Sequence, residues 1–359
     1  MKFSSVLSKL CSLVNFKAQW RKRTERASRR ESSMPPRQRL QFEAVEPRVL
    51  LSADVSYVAT GAADLSLKIV AAPGGPGAPT LELIDNVTHS VLGSTLLNAA
   101  REIDIAGSNA ADKLAIDLSY AGSFSPVPIT VKFTGNDGQD AVDLHNSGGP
   151  LYTPQTFTLE APESVLVSNN IATLGDLHMS ATDALTVDKG AHVTSTDGGS
   201  ITLQAPSITV QPGAAVESLA GKTTTPGDIT LLAVKQVTDT GGVATSATAA
   251  TAGIAVHDAT LSGHNISLLA GAGLNVTSTG LLDRQDADLS VIRPDGHASV
   301  LVDGASSIHA TEDVTMTALS SVQASATAQA GSTTNTSKDA AVAMSFVTSD
   351  ASVEVGGTS

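Results

Sequence analysis

The densest arrangement of groups able to hold a cation is Gly135-Asn136-Asp137-Gly138-Gln139-Asp140-Ala141-Val142-Asp143. Glycines at 135 and 138 permit a tight turn that brings backbone carbonyls together, and Asp140 adds a carboxylate just before an alternating apolar run. Oxygen-only donors suit a hard divalent ion, calcium above all, which takes about six to eight oxygens. A looser copy, Gly107-Ser108-Asn109-Ala110-Ala111-Asp112-Lys113-Leu114-Ala115, puts Asp112 at the same offset, with Ala110 at the turn-glycine position and Lys113 beside the carboxylate. Asp140 and Asp112 are the candidate calcium ligands. The competing reading needs no metal: each carboxylate caps the backbone where a turn enters a strand.

Other chemistry is broken or missing in the sequence. Gly221-Lys222-Thr223 ends like a phosphate-binding loop, but Val216 stands where the first glycine is required. No Gly-x-Ser-x-Gly elbow occurs. The eight histidines are scattered, and His257 and His264 flank a turn without a zinc-like spacing. Asp286 and Asp288, near Arg284 and Arg293, form the one dense charge group, in a stretch from Leu281 to Gly296 that reads as an inserted loop. Cys11 is the single cysteine, so neither an internal disulfide nor a Cys-based metal site is available. These features predict a non-enzymatic protein. The alternative is a polysaccharide-active parallel β-helix enzyme, which needs clustered carboxylates and aromatic sugar platforms in a chain that is 3% aromatic.

The elements that must position these residues are short strands. Leu65-Ser66-Leu67-Lys68-Ile69-Val70 and Thr80-Leu81-Glu82-Leu83-Ile84 alternate with period two around a Pro/Gly turn. Further on, a unit of strand, small-residue corner, strand and Gly/Ser/Thr loop recurs, starting at Leu177, Ile201, Ile229, Ile266 and Val314. Its second strands are read as Leu185–Val187, Ile208–Val210, Val237 and Leu274–Val276. Apolar residues reach 41% with few aromatics, so the core is aliphatic and narrow. This predicts an all-β fold, a right-handed parallel β-helix or β-solenoid preceded by a disordered basic leader, with a β-sandwich array as alternative. The predicted organisation is a leader over 1–45, a short motif over 42–54, a β-rich region over 55–160 and solenoid repeats over 161–359. The Ser/Thr/Ala/Gln-rich stretch 321–345 reads as a loop or an exposed part of a coil, and the repeats are expected to continue beyond Ser359.

Three resemblances accompany this reading. The Gly135–Asp143 segment is similar to the repeats-in-toxin nonapeptide, with Asn136 replacing its second glycine, which implies Asp140 as calcium ligand and Val142 pointing into the core. Glu46-Pro47-Arg48 and Leu50-Leu51-Ser52-Ala53, within Phe42–Asp54, resemble the signature of the LEPR-XLL family, with Val45 in place of the usual leucine. That implies a giant bacterial surface or secreted protein. The isoleucine-threonine-leucine-x-alanine rhythm over residues 171–320 looks like that of filamentous-haemagglutinin-type adhesins. The function expected is therefore a structural, adhesin-type protein, secreted or at the cell surface and associated with the outer membrane. Its partner would be an extracellular ligand, a cell surface or a polysaccharide.

Charge divides the chain. Residues 1–48 carry twelve Lys/Arg and four Asp/Glu, a net of +8, whereas the remainder carries a net of −21. Such an acidic body repels nucleic acid and anionic lipid. The leader lacks an unbroken apolar core, Lys9 interrupting its run, and Ser28-Arg29-Arg30 is followed by Glu31 and prolines where a twin-arginine signal is apolar. No segment is long and apolar enough to be a membrane span. Export is expected by a route that does not read an ordinary N-terminal signal, such as type I secretion. The leader's composition predicts that the amides of Arg21–Arg39 exchange with solvent at unstructured rates; protected amides in a hydrogen-exchange experiment would contradict it.

Overall fold

Period-two alternation sets the local structure, and the lengths of the alternating runs set the strands. The computed structural model describes residues 54–71, 79–98, 101–122, 124–135, 139–221, 224–240, 245–280, 287–328 and 340–356. The leader, the motif up to Ala53, Asn136–Gly138, Lys222-Thr223, Arg284 and Asp286 lie outside the described residues.

The chain begins with β1 (Val55–Val58) and β2 (Asp64–Val70), followed by β3 (Thr80–Asp85) and β4 (Val91–Leu96). Two coils of two strands come next, β5 (Arg101–Ala106) with β6 (Lys113–Asp117), and β7 (Ile129–Thr134) with β8 (Ala141–His145). Coils of three strands follow. The first is β9 (Phe157–Ala161), β10 (Ser164–Val167) and β11 (Ile171–Thr173); the second is β12 (Leu177–Ala181), β13 (Ala184–Val187) and β14 (His192–Ser195). The third is β15 (Ile201–Gln204), β16 (Ser207–Val210) and β17 (Ala215–Ser218). Two longer coils are β18 (Ile229–Asp239), β19 (Thr245–His257), β20 (Thr260–Gly263), then β21 (Ile266–Gly280), β22 (Ala287–Asp303), β23 (Ser307–Ala310). The final coil holds β24 (Val314–Ala328), β25 (Ala340–Ser345) and β26 (Thr348–Val355).

Each strand pairs with its counterpart one coil away, so three sheets run along the stack. Sheet A has the order β1-β5-β7-β9-β12-β15-β18-β21-β24, and sheet C the order β11-β14-β17-β20-β23. Sheet B runs β4-β3-β2-β6-β8-β10-β13-β16-β19-β22-β25, with β26 also on β22. The strands of successive coils pair in parallel, for example Leu177 with Ile201 and Ile201 with Ile229, beside one isolated antiparallel bridge from Ser119 to Leu151. Parallel ladders between successive coils define a parallel β-solenoid and set aside the sandwich array. Sheets A and B run without a break across residue 160.

Register places like residues above like. In sheet A one inward column is Ile129, Phe157, Leu177, Ile201, Ile229 and Ile266, each at most 1% exposed. In sheet B, Leu65, Leu114, Val142, Val165, Leu185, Ile208, Ile254 and Val300 form another. Sheet C adds Ile171, Val193, Val216 and Leu261. Fully burying one such aliphatic side chain stabilises by about 1.5–3 kcal/mol, and a coil buries its inward row only when a neighbour stacks on it.

The two ends differ. At the first coil, β3 pairs antiparallel with β2 and β4 antiparallel with β3. Leu81 and Leu83 of β3, with Leu97, are wholly buried, so this hairpin closes the core. A Cβ on Gly93 of β4 would come within 2.7 Å of Val55 Cγ1 in β1, which shows how closely the cap lies over the stack. At the other end, among the described residues, β23, β24, β25 and β26 each pair on one side.

The repeat starts match sheet A as expected, but two assignments change. Val237 and Leu274–Val276 are not second strands; they continue β18 and β21, and the second strands of those coils are the ends of β19 and β22, at Gly253–Val256 and Ser299–Val302. From Ala287 onward, the stretch expected as a loop to Gly296 is strand, whereas 321–328 and 340–345 of the stretch 321–345 are strand in the final coil, the second of the two readings expected for it. The reason is that β18 onward extend past the core and sheets A and B pack on each other there. Ala250, Ala252, Ala272, Leu274, Val276, Ile292 and Ala298 fill this extension, and small side chains let the two leaves lie close.

At the corner from sheet C to sheet A, backbone packs on backbone. A Cβ on Gly199 would overlap the Gly175 carbonyl, and one on Gly227 the Gly199 carbonyl. Because the obstacle is main chain, Gly199→Ala is expected to cost about 1–3 kcal/mol, read as a lower urea midpoint with an unchanged slope. An unchanged midpoint would show that the coils can separate at this corner at no cost.

Candidate functional site

Asp112, Asp140 and Glu163 each stand one residue before a strand of sheet B, so register stacks them at the corner from sheet A to sheet B. Each carboxylate reaches back one coil. Asp112 Oδ1 accepts the Ala63 amide at 2.6 Å, Asp140 Oδ1 the Asp112 amide at 2.8 Å, and Glu163 Oε2 the Asp140 amide at 2.8 Å. Asp112 also accepts the Ser108 amide at 2.5 Å and the Ser108 hydroxyl at 3.3 Å. The two predicted ligands are therefore brought together, as neighbours in a ladder of backbone caps, buried to 0% and 2% exposure. Sequence reasoning missed Glu163, although its position just before an alternating strand was the available signal.

The electrostatics follow from this stacking. Burial raises the Asp140 carboxyl above its ordinary range, opposed by the Asp112 amide and reinforced by the negative charges of Asp112 and Glu163. Asp117, at the far end of β6, goes the other way. Burial would raise it, but hydrogen bonds from Ser119 and Ser147 hold it below the usual value. Among the described residues no group of three or more His, Cys, Asp or Glu is arranged to hold a metal ion.

A second polar column lines the corner from sheet C to sheet A. Thr173, Ser195 and Ser218 are buried, and their hydroxyls donate to the carbonyls of Gly175, Gly175 and Gly199 at 2.7, 3.0 and 2.8 Å. These groups satisfy buried backbone rather than face solvent.

The outward faces carry ladders of another kind. Thr158, His178, Thr202, Thr230, Ser267 and Thr315 follow one another on sheet A. Beside them Lys132 sits in register with Asp104 and Glu160, and its ammonium donates to Glu102 at 2.7 Å. That hydrogen bond, with the surrounding carboxylates, raises the Lys132 pKa. Histidines pair with acids one coil on: His257 Nδ1 with Asp303 Oδ1 at 2.5 Å, His297 Nδ1 with Asp350 Oδ2 at 3.4 Å, and His264 Nε2 with Glu312 Oε2 at 3.7 Å.

A surface hollow lies on sheet B, in the extension. Its volume is about 460 Å³, and Thr248, Ala249, Arg293, Pro294, Asp295, Phe346 and Thr348 line it. The Arg293 guanidinium lies 5.6 Å from the Phe346 ring centroid, a cation–π distance. Pro294 has no N–H to give, and pairing on β22 passes here from β25 to β26. An aromatic ring, a guanidinium, a carboxylate and a hydroxyl thus share one open depression.

The cap geometry predicts different fates for two substitutions at Asp140. Asp140→Ala leaves the Asp112 amide buried without an acceptor and is expected to cost about 1–3 kcal/mol. Asp140→Asn keeps an acceptor oxygen and removes a charge from between two others, so its stability at pH 7 should equal or exceed that of the unaltered chain. The sign agrees with linkage: a carboxyl raised in the folded state binds its proton more tightly there, so its contribution falls as pH rises from the ordinary range through the raised value. Urea unfolding in chelator measures both, and equal losses would sink the cap assignment. Set against known proteins, the chain matches no family model, no curated protein and no solved structure.

Proposed function

We propose that this chain is a structural, non-enzymatic protein of the bacterial exterior, secreted or held at the outer surface, in which the solenoid serves as a stalk and contact face of adhesin type. The observation that carries the reading is the stack itself: one continuous core, with in-register outward ladders presented along its length. Such a body displays side chains at a repeat of about 4.8 Å and transmits load through backbone hydrogen bonds. The LEPR-XLL-like segment Glu46–Ala53 and the net charge of −21 on the body support the exterior location. Among the described residues no helix is long and apolar enough to cross a membrane.

The contact proposed is with a polysaccharide, and the hollow at Arg293 and Phe346 is where its chemistry fits. The exposed ring offers an apolar platform for a sugar face, while Arg293, Asp295 and Thr348 offer donors and acceptors for hydroxyls. Incubation with a panel of polysaccharides is expected to give retention without cleavage products, and Phe346→Ala should weaken that retention about tenfold or more. Turnover at enzyme-like rates would replace this reading with the polysaccharide-active enzyme.

Calcium belongs to the same proposal through Asp140 and Asp112, carboxylates that register brings together. Selective binding to the folded state must raise apparent stability, so the melting temperature is expected to rise in millimolar calcium. Identical melting curves in calcium and in chelator would leave Asp140 as a backbone cap alone.

A further inference from the structure

The hollow on sheet B presents two charged side chains that the fold leaves unengaged. Arg293 and Asp295 alternate outward on β22 with the buried Ile292, Pro294 and Gly296. Both therefore face sideways from the stack, between Ala249 of the coil before and Phe346 and Thr348 of the coil after. The contrast with Arg101 is clear, since that guanidinium donates to the Leu96 carbonyl at 2.6 Å and pairs with Asp54 at 3.3 Å. Among the described residues Arg293 has no acceptor for its N–H groups, its contact being the Phe346 ring, and the Asp295 carboxylate has no donor. The Thr248 hydroxyl is already committed to Asp239 at 2.6 Å. The strand behind is locked in place: a Cβ on Gly296 would stand 2.5 Å from Val322 Cγ2, and Ser320 Oγ donates to the Gly296 carbonyl at 2.9 Å. A donor-only group, an acceptor-only group and an aromatic ring are thus offered together from a fixed framework.

Resting on the polysaccharide reading above, we propose that this hollow selects glycans built of N-acetylated amino sugars, through their acetamido group. A secondary amide carries one acceptor and one donor that point opposite ways, and the acetamido group adds a methyl. Arg293 donates to its carbonyl, Asp295 accepts its N–H, and Phe346 receives the methyl. Strand positions two residues apart lie about 6.6 Å from each other, a span that a planar amide bridges with a hydrogen bond of about 2.9 Å on each side. Rival sugars use less of the site. A polyuronate would meet Arg293 but bring its charges against a body of net −21. An amino sugar without the acetyl group sets an ammonium beside the guanidinium, and a glucan has no methyl for the ring. The acetamido sugar is neutral and engages all three groups. The volume of about 460 Å³ falls within the range of small-ligand sites, about 300–1,000 Å³.

Binding of three β-linked tetramers to the full 359-residue chain tests this: N-acetylglucosamine, glucose and glucosamine, which differ in a single ring substituent. The acetylated tetramer is expected to bind about tenfold or more tightly than either of the others. Arg293→Met keeps an apolar stem beside the ring but removes every donor, and Asp295→Ala removes the acceptor. Each should bring that ratio close to one while the strand signal in circular dichroism persists. If a variant fails to fold, the order of affinities in the unaltered chain still decides. Equal affinity for the acetylated and glucose tetramers overturns the proposal and leaves the polysaccharide reading standing. So does a preference for the glucosamine tetramer, which an acidic surface attracts without any site. A preference for the acetylated tetramer that both variants retain would place its origin outside the hollow, and overturns the proposal too. Binding of none of the three overturns it as well; if the wider polysaccharide panel is also not retained, the reading beneath it falls with it.

Discussion

In-register parallel pairing between coils is the constraint on which everything else depends. A single coil has unpaired amides and carbonyls along both edges and an inward row too short to form a core. Stacking resolves both at once, but only if every strand meets its counterpart with the same residue above the same residue. A slip of one position would turn Leu177, Ile201 and Ile229 outward and His178, Thr202 and Thr230 inward. The columns are thus a condition of folding, and every polar group in the interior has to be solved as a column too.

The acidic composition is accommodated by this rule. Carboxylates recur at corresponding positions, where repulsion between neighbours would be expected to open the stack. At the corner between sheets A and B each one is instead held against the amide of the coil before it, a donor with a fixed position and partial positive charge. Outward columns give the acids other partners: Lys132 between Asp104 and Glu160, and the ring nitrogens of histidines against Asp303, Asp350 and Glu312. The raised Asp140 carboxyl reflects its burial between Asp112 and Glu163.

Much of the fold was legible because one alternating run per strand carries the inward column, and the repeat starts at Leu177, Ile201, Ile229, Ile266 and Val314 correspond to one sheet. The parallel arrangement followed from their recurrence. What was not legible was where a strand leaves the core. The runs from Val234 to Asp239 and from Gly271 to Gly280 alternate like any other strand, and nothing local distinguishes a leaf packed on a leaf from a strand turned onto the next face of the core. At the candidate site the residue types and offsets of Asp112 and Asp140 were visible, and capping was one of the two readings. The partner amides were not visible, since Ala63 and Asp112 are separated by 49 residues and meet only through register.

The three corners of a coil are unequal. Between sheets C and A the glycine column leaves no room for an added atom, and the buried hydroxyls of Thr173, Ser195 and Ser218 tie the chain to its neighbour. Between sheets A and B the chain is longer in the later coils without disturbing the register of the core, as β18, β21 and β24 show. An engineer wishing to graft a foreign loop or enzyme onto the stack would thus find the seam between sheets A and B the more permissive one, and the glycine positions 199 and 227 opposite the places where no side chain can be added.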